Sequence, residues 1–185
     1  MSIVEHLENH LGPIERRFTP TVEPASRGFQ ILSFDGSPFP DVVTVATLGL
    51  DRHSLPQRGG KDIHQELVMA AKPEDAAEIA SVLHAVAAEL LEKHVALPRG
   101  QVIGPRGPLV PGSSLEAIAC LSPWYWPDSF ASFQEGSRIT VMVWLVPIYP
   151  AEAEFIRKAG VDAFEARISE IDPDLLDLRR APIVS

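Results

Sequence analysis

The stretch Ile139-Thr140-Val141-Met142-Val143-Trp144-Leu145-Val146-Pro147-Ile148 decides the fold. It is apolar and β-branched almost throughout, interrupted by Thr140 and Pro147. The run is too short for the roughly 18–20 apolar residues of a membrane span. A strand apolar at successive positions, not alternate ones, is covered on both faces. Ile139 to Val146 therefore predicts a strand in the middle of a sheet.

Upstream, Phe29 to Phe34, Val42 to Leu50 and His64 to Ala71 read as three further strands, separated by turn residues Asp35-Gly36 and Pro38 and by a polar loop from Asp51 to Asp62. Their close succession predicts antiparallel neighbours, since parallel pairs need crossovers of about a dozen residues or more. Leu115 to Leu121 makes another strand, and a short one fits Gln101 to Ile103 within the Pro- and Gly-rich stretch from Pro98 to Ser114. Helices surround these strands. Ile3, Leu7 and Leu11 recur at spacing four before Gly12-Pro13. Pro73-Glu74-Asp75 opens a helix to about His94, with Ile79, Val82, Leu83, Val86, Leu90 and Leu91 on one face. Pro150 to Lys158 is a short helix stopped by Gly160, and Val161 to Leu178 is mostly helical with a break near Pro173. Pro20 and Pro24 punctuate the first connection. With no repeat or linker, residues 1–185 read as one α+β domain: a mostly antiparallel, mixed central sheet with helices packed against it.

The chain has 185 residues, of which 45% are hydrophobic and 22% charged, so it has the composition of a folded domain and not of a disordered chain. Against 25 acidic residues stand 16 Lys and Arg, a net charge of −9. That balance argues against nucleic acid as a partner, because phosphate contacts need cations. The acidic N-terminus has no signal-peptide pattern and no run spans a membrane, so the expectation is a soluble, cytoplasmic protein. Cys120 is the one cysteine, which excludes a disulfide and a thiolate metal cage.

Catalytic readings fail one by one. His6 and His10 have the i, i+4 spacing of two metal ligands, but Glu8 stands where no zinc-protease motif places its glutamate, and a solvated helix face is the better reading. His64-Gln65-Glu66 matches the start of a zinc-deaminase motif whose required P-C-x-x-C is missing. Glu66 then reads as a structural carboxylate needing a partner, with Arg52 or Arg58 as candidates. No G-x-S-x-G elbow exists; Arg58-Gly59-Gly60-Lys61 is followed by Asp62 where a phosphate loop needs Ser or Thr; Cys120 sits in an apolar strand as an inert thiol. No cofactor or metal is expected.

Two features suit binding. Trp124, Tyr125 and Trp126, followed by Asp128, form an aromatic loop between Pro123 and Pro127, and such residues concentrate at interface centres. Glu152, Glu165 and Glu170 belong to an acidic C-terminal region that suits a basic partner. These seven residues are the candidate partner-binding set.

Several stretches in order resemble the Suppressor of fused (SUFU) domain family: Glu5-His6-Leu7-Glu8, Ile31-Leu32-Ser33-Phe34, Val45-Ala46-Thr47-Leu48-Gly49-Leu50, Gln65-Glu66-Leu67-Val68-Met69, Leu145-Val146-Pro147-Ile148, and Glu152 to Gly160. The Thr-Leu-Gly-Leu and Glu-Leu-Val-Met pieces weigh most. The resemblance implies a sheet sandwiched by helices and brings no catalytic residue. Animal members bind a transcription-factor peptide and use a second domain; this chain has length for one, so Hedgehog-type regulation does not carry over. Bacterial members look like immunity proteins that neutralise a toxin, often a nuclease. The leading expectation is a non-enzymatic, immunity-type domain whose protein partner is a toxin. The alternatives are a regulatory module taking a peptide along a sheet edge, and a hydrolase that would need His53, His64 and Glu66 in one pocket.

Overall fold

The computed structural model describes residues 2–18, 28–57, 60 and 62–184. The connection through Pro20 and Pro24, Arg27, and the loop residues Arg58, Gly59 and Lys61 lie outside them. The strands, in chain order, are β1 (Arg16–Phe18), β2 (Gln30–Asp35), β3 (Val43–Leu48), β4 (His64–Ala71), β5 (Val102–Ile103), β6 (Ala117–Leu121), β7 (Ser132–Glu135) and β8 (Arg138–Ile148). The apolar run lies in β8, in the interior of the sheet order β1-β2-β3-β4-β8-β6-β5, with β7 also paired to β8. Residues 142 to 148 are all buried, as expected of a strand covered on both faces. β8 runs parallel to β4, with Gln65 opposite Val141, and antiparallel to β6, with Ala119 opposite Val146. β1 to β4 pair as antiparallel neighbours. The sheet is thus mixed and mostly antiparallel.

Among the described residues four α-helices cover it: α1 (Ile3–Leu11), α2 (Ala76–Lys93), α3 (Pro150–Ala159) and α4 (Val161–Ile171). Ser2 and Glu5 close a capping box at the start of α1, which satisfies amides that the first turn would otherwise leave open. Leu7 and Leu11 of α1, Ala153 and Ile156 of α3, and Phe164 and Ile168 of α4 join Leu32, Phe34, Trp144 and Val146 in one core. Ile79, Leu83, Ala87 and Leu90 of α2 join Ile31, Val45, Leu67, Met69 and Leu145 in the other. Strand alternation sends Ile31 to one core and Leu32 to the other.

Two differences from the sequence reading have physical causes. β7 is a short strand, Ser-Phe-Gln-Glu, with Phe133 alone buried, too polar to carry an alternation signal. The tail after α4 is not helical. Asp172 turns left-handed (φ 50°) before Pro173, and residues 172–184 follow an irregular course with Leu175, Leu176, Leu178, Arg180 and Ile183 buried.

Candidate partner-binding surfaces

Glu66 shows how the sheet is fastened beneath these surfaces. It is wholly buried on β4. Its Oε1 accepts the N–H groups of Gly49 (2.7 Å) and Asp51 (3.2 Å), and Oε2 meets the Thr47 hydroxyl. Backbone amides therefore fill the role assigned to Arg52, whose side chain is exposed; Arg58 lies outside the described residues. Burial pushes this carboxyl up to about 8, aided by the nearby Asp51 carboxylate and opposed by Thr47 and the two amides. Gly49 must be glycine: its φ is +100°, and a Cβ there would sit 2.8 Å from the Gly28 carbonyl oxygen.

The first candidate surface is a groove of about 470 Å³ between α2 and β5, lined by Val86, Leu90, Val95, Leu97, Val102 and Ile103. Val95 is 41% exposed. Gln65 fixes one side, its amide exchanging two 2.9 Å hydrogen bonds with the Leu97 backbone. At the groove's rim Glu89 takes Arg106 and Lys93, which hold its carboxyl down to about 2. β5 ends the sheet. Cys120 N–H donates to the Gln101 carbonyl (2.9 Å), and Val102 stands opposite Ala119. In an antiparallel pair this alternation turns the Val102 N–H and C=O away from β6, toward the open edge. The Gln101 side chain reaches that carbonyl at 3.3 Å, and Arg157 of α3 holds the next outward carbonyl, that of Gly104. Sequence reasoning missed this site. Val86 and Leu90 have the same helical periodicity as the core residues beside them, and exposed Val95 follows the helix with no pattern around it.

The aromatic loop forms the second surface. Trp124, Tyr125 and Trp126 surround Trp144, with ring centroids 5.0, 4.9 and 5.6 Å away. Trp124 is 38% exposed and Tyr125 half-buried, its hydroxyl pushed up by burial. Phe39, 48% exposed, meets Tyr125 edge-on at 5.5 Å. Asp128 is exposed. Trp126 is a correction to the candidate set: it is buried, with Nε1 donating to Ser37 Oγ at 3.1 Å, and a partner cannot reach it.

Glu152 is a second correction. It is fully buried at the start of α3, paired through both oxygens with Arg180 (2.8 and 2.7 Å), and it accepts the Tyr149 and Ile183 amides as well. A buried carboxylate needs such partners, so Glu152 holds the tail and does not face outward. Glu165 and Glu170 lie on α4, facing Arg99 and Arg167 respectively. The structure does not gather the seven candidates into one patch.

The groups considered for catalysis make contacts within the fold. His6 is buried, not solvated: it stacks on Phe130, its Nε2 lies 3.2 Å from the Phe130 carbonyl, and burial pulls its pKa down. His10 spans from the His6 carbonyl to Ser129 Oγ (2.8 and 2.9 Å). His64 Nδ1 bonds the Asp51 carbonyl at 2.7 Å, while His53 abuts Gly28. Glu66 has no exposed surface to meet a substrate. Burial pushes the Cys120 thiol up to about 12. Among the described residues no group of His, Cys, Asp and Glu could hold a metal, and no helix is long and apolar enough to cross a membrane.

Comparison with known proteins places this architecture. No curated protein matches the chain in sequence. Among solved structures, a SUFU (suppressor of fused protein) homolog from Neisseria gonorrhoeae superposes with a TM-score of 0.78 at 19% identity, covering 99% of this chain and 95% of that one. Sufu in the Sufu–Fu complex gives 0.71 at 13% identity, covering 98% and 90%. Drosophila Suppressor of Fused gives 0.61 at 15% identity; the match covers 84% of this chain but only 42% of the Drosophila protein. At these identities the superpositions establish the fold. The family model for Suppressor of fused protein matches residues 26–181, most of the chain, and the chain therefore belongs to the SUFU family.

Proposed function

We propose that the protein is a non-enzymatic protein-binding domain that takes an extended segment of its partner along β5, in the groove against α2. The observation that carries this is the outward-facing backbone of Val102 beside an apolar groove with an exposed Val95. An added strand gains main-chain hydrogen bonds at the edge, while alternate side chains enter the groove. Gln101 and Arg157 occupy the outward carbonyls meanwhile, as polar guards of the kind that keep edge strands from pairing at random. Sufu has been crystallised in a Sufu–Fu complex, so a relative of the same fold engages a protein. Selection from a random decapeptide library tests the reading. Peptides enriched on the wild type should lose binding to Val102→Pro, which removes the edge N–H, and to Val86→Glu. Peptides that bind all three proteins equally would sink it.

A second reading, favoured by the net charge of −9 and the exposed carboxylates on α4, is an immunity-type protein that covers a basic toxin through charge complementarity. Co-expression with the product of an adjacent gene tests it: rescue from that product's toxicity and co-purification support it, and growth arrest with no complex refutes it.

A further inference from the structure

We propose that the recess where α1 ends against the 35–39 turn is a receptor for an arginine side chain of a basic protein partner. The inference rests on the protein-binding reading but uses a surface separate from the α2–β5 groove. The recess, about 290 Å³, is bounded by Gly12, Asp35, Ser37, Tyr125 and Pro127. That volume suits one long side chain and falls below the usual range for drug-sized ligands.

Three independent features favour a cation there. The first is the carboxyl-terminal end of α1, a nine-residue helix, where unsatisfied carbonyls and the helix dipole place partial negative charge. Gly12 closes that helix with its N–H on the Glu8 carbonyl, and its Cα side lies against Asp35: a Cβ built there would be 4.0 Å from the Asp35 carbonyl oxygen. The second is the Asp35 carboxylate itself, exposed at the end of β2 and without an ion-pair partner among the described residues. The third is the aromatic wall. Tyr125 lines the recess, and Phe39, outside the lining, packs edge-on against the Tyr125 ring at 5.5 Å and holds it; a cation over such a ring is attracted by its quadrupole. The one basic side chain in the wall, His10, has its two nitrogens engaged by the His6 carbonyl and Ser129 Oγ. The walls are also held in place. The buried Trp126–Ser37 hydrogen bond ties the aromatic loop to the 35–39 turn, so little ordering is left for binding. Arginine suits the recess better than lysine, because a planar guanidinium stacks on Tyr125 while its several donors reach Asp35 and the helix carbonyls together. The net charge of −9 adds long-range attraction for a basic partner.

Titration with a hexa-arginine peptide, followed by calorimetry and by amide shifts in the NMR spectrum, tests the proposal against hexa-lysine and hexa-citrulline peptides. The expected result is saturable binding with the largest shifts at Gly12, Asp35 and Tyr125. Lysine should bind several-fold more weakly and citrulline not at all. Asp35→Asn should weaken binding about tenfold and Phe39→Ala about threefold, at exposed positions where thermal melts verify an unchanged fold. Glu154→Gln, on α3 and paired with Lys158, should change nothing. Equal losses for Asp35→Asn and Glu154→Gln, shifts centred on α4, or no saturation at millimolar peptide would each overturn it. Val102→Pro should leave arginine binding intact, so failure here and failure of the groove are distinguishable.

Discussion

Replacing Glu152 by glutamine removes one charge from the best-buried ion pair among the described residues. Glu152 has no exposure and the Arg180 side chain is 3% exposed. The two carboxylate oxygens accept four donors: both terminal nitrogens of Arg180, Tyr149 N–H and Ile183 N–H. Arg180 also donates to the Pro147 and Ala181 carbonyls, and its guanidinium lies 5.6 Å over the Tyr149 ring. Glutamine keeps the volume but presents an NH₂ group to donors, and it leaves a guanidinium buried without its counter-charge. Breaking one side of such a pair costs about 3–5 kcal/mol. For a chain of this length each kcal/mol shifts the melting temperature by about 2–4 °C, so Glu152→Gln should lower it by roughly 6–20 °C. Urea unfolding followed by tryptophan fluorescence measures the free energy through the midpoint at unchanged slope. The pair Glu152→Leu with Arg180→Met should recover part of the loss and not all, because the amides of Tyr149 and Ile183 would still lack acceptors. A Glu152→Gln loss under 1 kcal/mol, or single changes that simply add, would refute the view that this pair holds the tail.

Three further outcomes are expected. Glu66, with its carboxyl pushed up to about 8 by burial, stays protonated when the unfolded chain has ionised, so its contribution to stability falls as pH rises from about 4.5 toward 8, at up to about 1.4 kcal/mol per pH unit; Glu66→Gln, whose Oε1 can accept the same two amides, should flatten that slope in denaturant titrations, and an unchanged slope would contradict the assignment. His6 is lowered by burial, so its contribution is complete above about pH 7 and is lost as pH falls through the unfolded value near 6.5; thermal melts of His6→Phe should drop less between pH 7.5 and 5.5 than those of the wild type, and an equal drop would count against it. Gly49→Ala should cost about 2 kcal/mol or more, since the left-handed backbone and the 2.8 Å approach to the Gly28 carbonyl both resist a side chain; a smaller loss in the same urea assay would mean that the turn relaxes.

Much of the fold was legible because burial on two faces leaves a mark in composition. The buried run from Met142 to Ile148 was marked in this way, although Ile139, at the start of the same apolar stretch, is 54% exposed; the antiparallel pairing of β2 with β3 followed from a short connection. β7 was not legible because one buried Phe133 makes no pattern. The tail was misread because helical spacing continues past Ile171, while what orders it is Arg180 meeting Glu152, 28 residues earlier in the chain. Glu66 was rightly given a need for partners, but Arg52 is not among them, since the backbone amides that serve have no letter in a sequence. The same contact joins the two most telling family stretches: Thr47 and Gly49 of one donate to Glu66 of the other. For binding, the sequence pointed to aromatics and acids by type. Half-burial of Tyr125 and full burial of Trp126 and Glu152 depend on packing between distant segments, as does the α2–β5 groove.

The interior place of β8 sets the timetable of folding. Its parallel partner β4 ends at Ala71, and β8 begins at Arg138, so Gln65 must wait for Val141. On a ribosome β1 to β4 emerge before β8, as an antiparallel ribbon whose β4 edge is unmatched, and the chain must close a loop of dozens of residues before that edge is sealed. High contact order of this kind slows folding and prolongs the exposure of apolar strand. The late segment that completes the sheet is thus also what ends the nascent chain's most aggregation-prone interval.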